Sequence, residues 1–519
     1  MGQFSANLLN GWARSDGNAA FAKLGGSILA RVIIVSNRVA IPRGTGALRA
    51  GGLEVALEPV LKEVPSVWFG WSGNVVTSDK VTTQTVERAK TTYVVTDLSE
   101  EDYQEYYNGF ANRVLWPVLH YRIDLTEFSR RDLTGYFRVN RHFAEELSKI
   151  VQPDDIIWVN DYHLIPIAEE LRRCGHTNRI GFFLHVPFPA PEVMTVLPNH
   201  ERLLPLLLQY DLVGFQTETD VGNYVRYLIA EHRGSSRKVF EATDNQFVFT
   251  CGSRQTRIGS FPVGIDTEEF QQLAQRAMKS TFVRDVVDSL AGRALVIGVD
   301  RLDYSKGLIQ RMEAFERFYA LHPEWQNKVT YLQIAPKSRS EIPEYSELEQ
   351  AVGAAAGRIN GKYGEVAWTP IRYLNRAYSR SGLAGLYRSA RAALVTPLRD
   401  GMNLVAKEYV AAQDVSDPGV LILSRFAGAA AECQHALLVN PYDADSVAAA
   451  IAHALEMPLE ERRERHNANL AVLARNGGTV WSLRFLKSLA GSPTINEALP
   501  GEFSLAPYAP PRPTVAARR

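Results

Sequence analysis

Short apolar runs alternate with amphipathic stretches from Arg31 onward, and this alternation limits the fold more than any other feature of the chain. The runs in the first part have the length and β-branched content of buried strands and lie at residues 32–35, 156–159, 180–184 and 211–215. Apolar residues recur at helical spacing between them, as in residues 53–64 and 164–171. Strands that alternate with helices need crossover connections, so the pattern predicts parallel sheets in a doubly wound α/β architecture.

The second part of the chain repeats the scheme, with predicted strands at residues 295–299, 331–334, 392–395 and 420–423. A length of 519 residues needs two such units. Their join is predicted at the FPVGID segment, residues 261–266, where a proline and a glycine interrupt the pattern.

The two ends of the chain differ from this core. Residues 1–30 are rich in Gly, Ala, Ser and Asn without periodicity, which predicts a flexible N-terminal extension. Residues 493–519 contain six prolines and are interpreted as a Pro-rich tail.

Charge and cysteine content exclude several classes of function. Lys plus Arg and Asp plus Glu both number 57, so no overall field favours nucleic acid or an anionic membrane, and phosphate recognition requires locally placed cations. Three scattered cysteines argue against a disulfide framework or a cysteine zinc site, and a reducing cytoplasm is expected. The apolar run at residues 27–35 is broken by Arg31 and lacks the features of a secretory signal or a membrane span.

Parallel sheets bind ligands at the carboxyl ends of their strands, so the residues after each predicted strand are the candidates. Arg38 follows the first strand, and Gly51 and Gly52 then open a helix, which suits an anion at a helix N-terminus or an ordinary tight turn. Arg301 and Lys306 follow residues 295–299 and either neutralise a diphosphate or are solvated surface cations.

Acidic residues and a histidine follow other strands. Asp400 and Glu408 come after residues 392–395; they either accept hydrogen bonds from sugar hydroxyls, or Asp400 caps a helix while Glu408 lies on its solvated face. His185, held between prolines, is either a ligand contact or a structural histidine. Asp161 is a candidate acceptor or base, with helix capping as the alternative.

Three carboxylate pairs were weighed as metal ligands: Asp300 with Asp303, Asp443 with Asp445, and Asp154 with Asp155. None has companion ligands at convincing spacing, so no metal site is predicted.

Taken together, these segments resemble the trehalose-6-phosphate synthase family of retaining glucosyltransferases over about residues 31–490. The motifs that carry the resemblance are VSNRVA (35–40), AGGL (50–53), WFGWSG (68–73), YYNGFANRVLWPVLHYR (106–122), NDYHLIPIA (160–168), GFFLHVPFPAPE (181–192), DLVGFQTETD (211–220), RLDYSKGL (301–308), APKSR (335–339), GRINGKYG (357–364) and TPLRDGMNLVAKEYVAAQD (396–414). Their joint occurrence in this order is highly specific.

The resemblance implies the GT-B fold, in which two Rossmann-like doubly wound domains face each other across a substrate cleft. Residues 31–262 would bind the acceptor, residues 263–475 the nucleotide sugar, and a C-terminal helix at 476–492 would pack back toward the N-terminal domain. The implied reaction moves glucose from UDP-glucose to glucose 6-phosphate, giving α,α-trehalose 6-phosphate and UDP, with neither metal nor other cofactor. A homodimer or homotetramer is also implied.

Site roles follow by the same resemblance. The implied donor-binding residues are Gly51, Gly52, Arg301, Lys306, Tyr378, Leu404, Val405, Ala406, Lys407 and Glu408, with Tyr378 beside the base and Glu408 on the ribose. The implied acceptor-binding residues are Arg38, Trp71, Tyr107, Trp116, Asp161 and Arg339. His185, Asp400, Arg301, Lys306 and Asp161 form the implied catalytic set, with His185 and Asp400 on the donor glucose. The implied mechanism is front-face transfer in which the leaving phosphate oxygen helps to deprotonate the acceptor hydroxyl.

The chain departs from the family pattern at one position, and two other functions are compatible with the fold. The family often has His where this chain has Asn160, and a contact between that position and the acceptor would alter acceptor affinity or identity. A sister enzyme with glycerol 3-phosphate as acceptor is opposed by the presence of the full acceptor set around Arg38. A catalytically inactive sugar-phosphate sensor is opposed by the presence of Arg301, Lys306, Asp400 and Glu408.

Overall fold

A computed structural model describes residues 31–39, 41, 56–57, 60–61, 64–231, 238–243, 246–251, 254–338 and 342–491. The predicted extension at 1–30 and the predicted tail at 493–519 lie outside these residues, as do Gly51, Gly52 and Arg339.

The N-terminal half of the chain, residues 31–260, carries the first sheet. Its strands among the described residues are β1 (Val32–Arg38), β2 (Ser66–Val76), β3 (Thr83–Arg88), β4 (Thr91–Ser99), β5 (Ile156–Asn160), β6 (Ile180–Phe183), β7 (Leu212–Phe215), β8 (Lys238–Thr243), β9 (Gln246–Cys251) and β10 (Arg254–Ser260). They are arranged in the order β3-β4-β2-β1-β5-β6-β7-β10-β9-β8. Pairing is parallel from β4 to β10 and antiparallel at both edges. The predicted strands β1, β5, β6 and β7 lie side by side in the buried centre, which is why continuous apolar runs identified them.

The C-terminal half, residues 267–475, carries the second sheet. Its described strands are β11 (Ala294–Val299), β12 (Val329–Ile334), β13 (Ile371–Leu374), β14 (Ala392–Val395), β15 (Val420–Ser424) and β16 (Leu437–Val439). The order is β13-β12-β11-β14-β15-β16, and every neighbouring pair is parallel. Four of these strands were predicted, and the doubly wound α/β architecture is confirmed for both halves.

Helices cover the faces of the two sheets. The described α-helices are α1 (Glu100–Asp102), α2 (Trp116–Leu119), α3 (Arg130–Ser148), α4 (Ile167–Arg173), α5 (Pro191–Met194), α6 (His200–Leu203), α7 (Glu218–Glu231), α8 (Thr267–Ala277), α9 (Thr281–Ser289), α10 (Leu308–Leu321), α11 (Pro343–Tyr363), α12 (Arg380–Ser389), α13 (Leu404–Ala412), α14 (Ala444–Glu456), α15 (Leu459–Arg475) and α16 (Gly478–Ala490). A π-helix spans Tyr103–Leu115, and short 3₁₀ helices include Tyr162–Leu164 and Tyr304–Lys306. No helix in these described segments combines the length and apolar character needed to cross a bilayer.

The last described helix, α16, packs on the sheet of the N-terminal half. The ring of Trp158 on β5 lies 4.7 Å from that of Phe485 and 5.0 Å from that of Trp481. A Cβ atom at Gly181 on β6 would lie 2.9 Å from the Phe485 ring, so this close approach requires glycine. The chain therefore passes between the halves twice, once in each direction.

Candidate functional site

The strand ends of the two sheets meet at a backbone contact. His185 follows β6 and Gly401 follows β14, and a Cβ atom at Gly401 would lie 2.3 Å from the His185 carbonyl oxygen. A cavity of about 350 Å³ borders Asp400 and Gly401 and extends to Pro187 of the N-terminal half. The predicted donor-sugar residues His185 and Asp400 thus come from opposite halves and lie in neighbouring loops.

Lys306 and Asp400 form an ion pair at this meeting point. The Lys306 ammonium donates to Oδ2 of Asp400 at 2.5 Å, and Asn403 Nδ2 donates to the same oxygen at 3.1 Å. Both charged side chains are largely buried, with 13% and 12% of their surface exposed. Asn403, whose side chain accepts from the N–H of Ala406, is the residue that caps α13. The capping alternative for Asp400 is therefore wrong.

Arg301 links the two predicted binding sets. Its guanidinium lies 5.8 Å from the ring centre of Trp116, at a distance that suits a cation–π contact. His120, one turn after Trp116, has its pKa lowered by burial to about 4, with opposing effects from the nearby charges of Asp303 and Asp400. The Trp116 segment of the N-terminal half therefore faces the charged loops of the C-terminal half.

Two of the predicted acceptor residues, Trp71 and Tyr107, belong to an aromatic cluster with Tyr103 and His163. The Tyr107 ring lies 5.5 Å from that of Trp71 and stacks on Tyr103 at 5.6 Å and on His163 at 6.0 Å. The guanidinium of Arg38 is 5.6 Å from the Trp71 ring. The structure thus brings together Arg38, Trp71 and Tyr107 as the resemblance implies.

The helix that carries Tyr107 is a π-helix, which the sequence reading missed. The N–H of Trp116 bonds to the carbonyl of Ala111, five residues earlier, where an α-helix would use the fourth. Apolar periodicity near 3.6 does not distinguish this wider turn, so no sequence signal indicated it. π-helical segments occur frequently at functional sites.

Asp161 is held in a strained backbone conformation. Its φ of +79° is uncommon for a residue with a side chain. The Asp161 N–H donates to the Phe183 carbonyl at 2.8 Å, and its Oδ1 accepts from the His185 N–H at 3.3 Å. Because its carboxylate makes no cap bond to the following 3₁₀ helix, the capping alternative is wrong here too.

Glu408 is half-buried on α13, so the solvated-face alternative is wrong. Burial raises the pKa of its carboxyl from 4.5 to about 7, and the positive charge of Arg380 partly opposes this shift. Tyr378 lies in the same region, with its ring 5.4 Å from that of Phe282. Leu404 and Val405 are half-buried, and Ala406 is buried.

The prediction that the Lys407 side chain binds the donor is wrong. The ammonium is buried, donates to the Val263 carbonyl at 2.6 Å and forms an ion pair with Glu432. Glu432 also accepts from Asn476 Nδ2 at 3.0 Å. The Lys407 side chain therefore fastens α13 to both crossings between the halves, and only its backbone remains for a nucleotide.

Asn160 also departs from expectation. It is fully buried, and its side-chain oxygen lies 3.0 Å from Nε2 of His185. Because Asn160 has no exposed surface, the effect of this position on an acceptor is expected to pass through His185.

Each of the three carboxylate pairs considered as metal ligands has other partners. Asp303 caps the turn before Lys306, and Asp300 pairs with Arg311 at 2.8 Å. Asp443 caps α14 and Asp445 pairs with Arg317, while Asp155 pairs with Arg31 at 2.8 Å. Within the described segments, one cluster of potential ligand residues was found, formed by His200, Glu201 and Glu231, and it contains no predicted site residue.

A family model for glycosyltransferase family 20 matches residues 31–491, so the two α/β halves and the site between them are those of a glycosyltransferase. The chain belongs to glycosyltransferase family 20. A trehalose-6-phosphate synthase of Sinorhizobium fredii is 50% identical over 466 residues, which cover 89% of this chain and 99% of that relative.

Solved structures agree with this assignment. An α,α-trehalose-phosphate synthase (UDP-forming) from Burkholderia xenovorans, in complex with glucose-6-phosphate, is 45% identical with a TM-score of 0.85, over 89% of this chain and 100% of that one. An E. coli structure bound with UDP-2-fluoro glucose is 43% identical with a TM-score of 0.83, over 90% of this chain and 100% of that one. The predicted family and the GT-B fold class are confirmed.

Proposed function

We propose that the chain transfers glucose from UDP-glucose to glucose 6-phosphate with retention of anomeric configuration, forming α,α-trehalose 6-phosphate and UDP. The observation that carries this proposal is the contact of Arg301 with Trp116 beside the Lys306–Asp400 pair, because it unites the expected donor and acceptor groups. Relatives in complex with glucose-6-phosphate and with UDP-2-fluoro glucose support both substrates.

On the donor side, Arg301 and Lys306 bind the diphosphate and stabilise the negative charge that develops as UDP leaves. Lys306 has three N–H donors, so it can keep Asp400 while it binds a phosphate oxygen. Asp400 uses Oδ2 for both of its described hydrogen bonds, which leaves Oδ1 for a hydroxyl of the glucose ring. In this assignment residues 263–475 are the nucleotide-sugar domain.

The remaining donor contacts follow the family pattern. Glu408 accepts hydrogen bonds from the ribose, Tyr378 lies beside the base, and Gly51 and Gly52 approach the phosphates. Fixed cations fulfil the role that a metal ion has in other glycosyltransferases, so the proposed reaction needs no metal.

On the acceptor side, residues 31–262 bind glucose 6-phosphate. Arg38 and Arg339 clamp the phosphate dianion, while Tyr107 and Trp116 add neutral donors. Asp161 accepts from the sugar hydroxyls, and Trp71 holds the aromatic cluster in place. The acceptor hydroxyl attacks from the face that UDP leaves, and the departing phosphate oxygen takes its proton.

The test is release of UDP from UDP-glucose with glucose 6-phosphate, with glycerol 3-phosphate or without acceptor, each in the presence and absence of a chelator. Release only with glucose 6-phosphate, insensitive to chelator, supports the proposal. Release with glycerol 3-phosphate would assign the sister activity, and no release with any acceptor would reopen the alternative of a sugar-phosphate sensor. Light scattering on the same sample tests the expected homo-oligomer, and cell fractionation tests the expected cytoplasmic location.

A further inference from the structure

The side chain of Asn160 has an orientation that its surroundings determine. Its Nδ2 lies 3.2 Å from the carbonyl oxygen of Trp158 and 3.4 Å from that of Val35. Carbonyl oxygens only accept hydrogen bonds, so the NH₂ group must face them and the amide oxygen must face away. That oxygen is the atom 3.0 Å from Nε2 of His185.

This orientation determines where the proton of His185 resides. An amide oxygen cannot donate, so the hydrogen bond forms only if Nε2 carries a proton. Burial lowers the pKa of His185 to about 3, so the ring is neutral at physiological pH and carries a single proton. With that proton on Nε2, Nδ1 presents a lone pair.

Nδ1 has the weaker of the two partners that compete for this single proton. Its described neighbour is the sulfur of Met402 at 3.4 Å, and a thioether is only a weak acceptor, whereas the amide oxygen of Asn160 at 3.0 Å from Nε2 is a strong one. Met402 follows Gly401 in the loop that carries Asp400. The lone pair is therefore at the boundary between the two halves, where the donor glucose is proposed to bind.

We propose that Asn160 is a positioning residue that locks His185 in the Nε2–H tautomer, so that Nδ1 accepts a hydrogen bond from a hydroxyl of the donor sugar. This inference rests on the proposed function for the identity of the sugar, but the tautomer itself is a property of the free protein.

Kinetics of Asn160→Ala test the consequence for binding. Without the amide, either tautomer of His185 becomes available. We therefore expect kcat/KM for UDP-glucose to fall about tenfold, which corresponds to the loss of one hydrogen bond between His185 and the donor sugar. The KM for glucose 6-phosphate should change less than twofold. A change confined to glucose 6-phosphate, or unchanged kinetics, overturns the proposal.

The isosteric variant Asn160→Asp gives a second, pH-dependent measurement. A carboxylate beside Nε2 raises the pKa of His185, and the imidazolium has no lone pair on Nδ1. The Asp161 carboxylate accepts from the backbone N–H of His185. The Lys306–Asp400 pair adjoins Gly401, which packs against the His185 carbonyl oxygen, and Trp481 of α16, whose ring faces the imidazole, is neutral. We expect the KM for UDP-glucose to be high at pH 6 and to approach the wild-type value at pH 8. A pH profile parallel to that of the wild type contradicts the proposal.

Direct observation of the ring nitrogens separates this inference from the proposed function. In ¹⁵N-histidine-labelled full-length protein without substrate, with the His185 signals assigned by their loss in His185→Gln, Nε2 should be protonated and Nδ1 unprotonated. Asn160→Ala should shift this pattern toward a mixture. If the wild type shows a protonated Nδ1, the inference fails whatever the enzyme's activity; if the wild type releases no UDP, the proposed function fails while this measurement still stands.

Asn178→Ala is the matched control for loss of a buried amide. Asn178 Nδ2 donates to the carbonyls of Gln152, Pro153 and Asp155 at the opposite end of β5. The Asn178→Ala variant should have a lower melting temperature than the wild type but an unchanged KM for UDP-glucose. An equal KM effect in both variants would mean that Asn160 acts only on general stability.

Discussion

The proposed acceptor and donor sides of the cleft hold their polar groups in different ways. On the acceptor side, Arg38 lies over Trp71 and forms no ion pair with any other described residue. On the donor side, Lys306 is paired with Asp400, and Lys407 is paired with Glu432. In the proposed assignment the acceptor phosphate therefore meets a cation without a described ion pair. The donor diphosphate meets one such cation, Arg301, and a second, Lys306, whose charge Asp400 already neutralises. Substitutions on the donor side should consequently have larger and more pH-dependent effects.

The largest expected effect comes from Lys407→Met, which leaves the buried Glu432 without its partner. Removing one member of a buried pair costs about 3–5 kcal/mol of the free energy of unfolding. The double variant Lys407→Met/Glu432→Leu should recover most of this loss, because no buried charge remains. Urea unfolding midpoints measure both.

The control for Lys407→Met is Lys149→Met, which breaks the surface pair with Glu146 and should cost less than about 1 kcal/mol. Equal losses at Lys407 and Lys149 would mean that the donor-side pair contributes no more than a surface pair.

Lys306→Ala should reduce kcat by about a hundred- to a thousandfold, as expected when one fixed donor to developing negative charge is lost. UDP release at saturating substrates measures it. Lys306→Arg retains the charge and should lose less. An unchanged kcat in the alanine variant would remove Lys306 from the mechanism.

A pH effect follows from Glu408, whose pKa is about 7 in the free protein. The ionised form is the stronger acceptor for ribose hydroxyls, so the KM for UDP-glucose should rise severalfold, up to about tenfold, between pH 8 and pH 6. Glu408→Gln should lack this dependence, and a slope that persists in this variant would assign it to another group.

The raised pKa of Glu408 affects folding stability in the opposite direction: high pH favours UDP-glucose binding, whereas low pH favours the folded state. The folded state holds the Glu408 proton more tightly than the unfolded state, in which the pKa is near 4.5. The resulting contribution to stability is complete below pH 4.5 and is lost as the pH rises to about 7. Melting temperatures of wild type and Glu408→Gln should therefore converge at low pH.

The smallest expected effect lies on the acceptor side, in Trp71→Leu. Loss of the ring contact with Tyr107 and of the cation–π contact with Arg38 should raise the KM for glucose 6-phosphate about two- to tenfold. The KM for UDP-glucose should not change, and Trp325→Leu, in a surface 3₁₀ helix, is the control. Equal increases in KM for glucose 6-phosphate and for UDP-glucose would contradict the division of the cleft into an acceptor side and a donor side.

The fold was predictable where both faces of a strand are buried. β1, β5, β11 and β14 are such strands, and their apolar runs indicated them. β4 was missed because Thr91, Thr92, Thr96 and Asp97 interrupt its apolar run. The antiparallel β3 was missed because it is mostly exposed and polar.

The candidate site was predictable as a set of residues but not as a set of contacts. Lys306 and Asp400 are 94 positions apart, and spacing could not show that they pair. Lys407 lies on a helix that is buried on more than one side, so its periodicity did not reveal that it faces Glu432. Asn160 stands out in the sequence only as a departure from the family pattern, and its link to His185 depends on adjacent strand ends that only the fold brings together.

The return of α16 to the first sheet has a consequence for biosynthesis. Trp158 and Phe183 belong to strands made early, yet Trp481 and Phe485, which cover them, are among the last described residues to be translated. At about 5–20 residues per second, the ribosome needs roughly 10–50 s to proceed from the end of β10 to the end of α16. Throughout that interval the nascent N-terminal half has an apolar sheet face without its cover, and the chain completes its first core only after it has made its second.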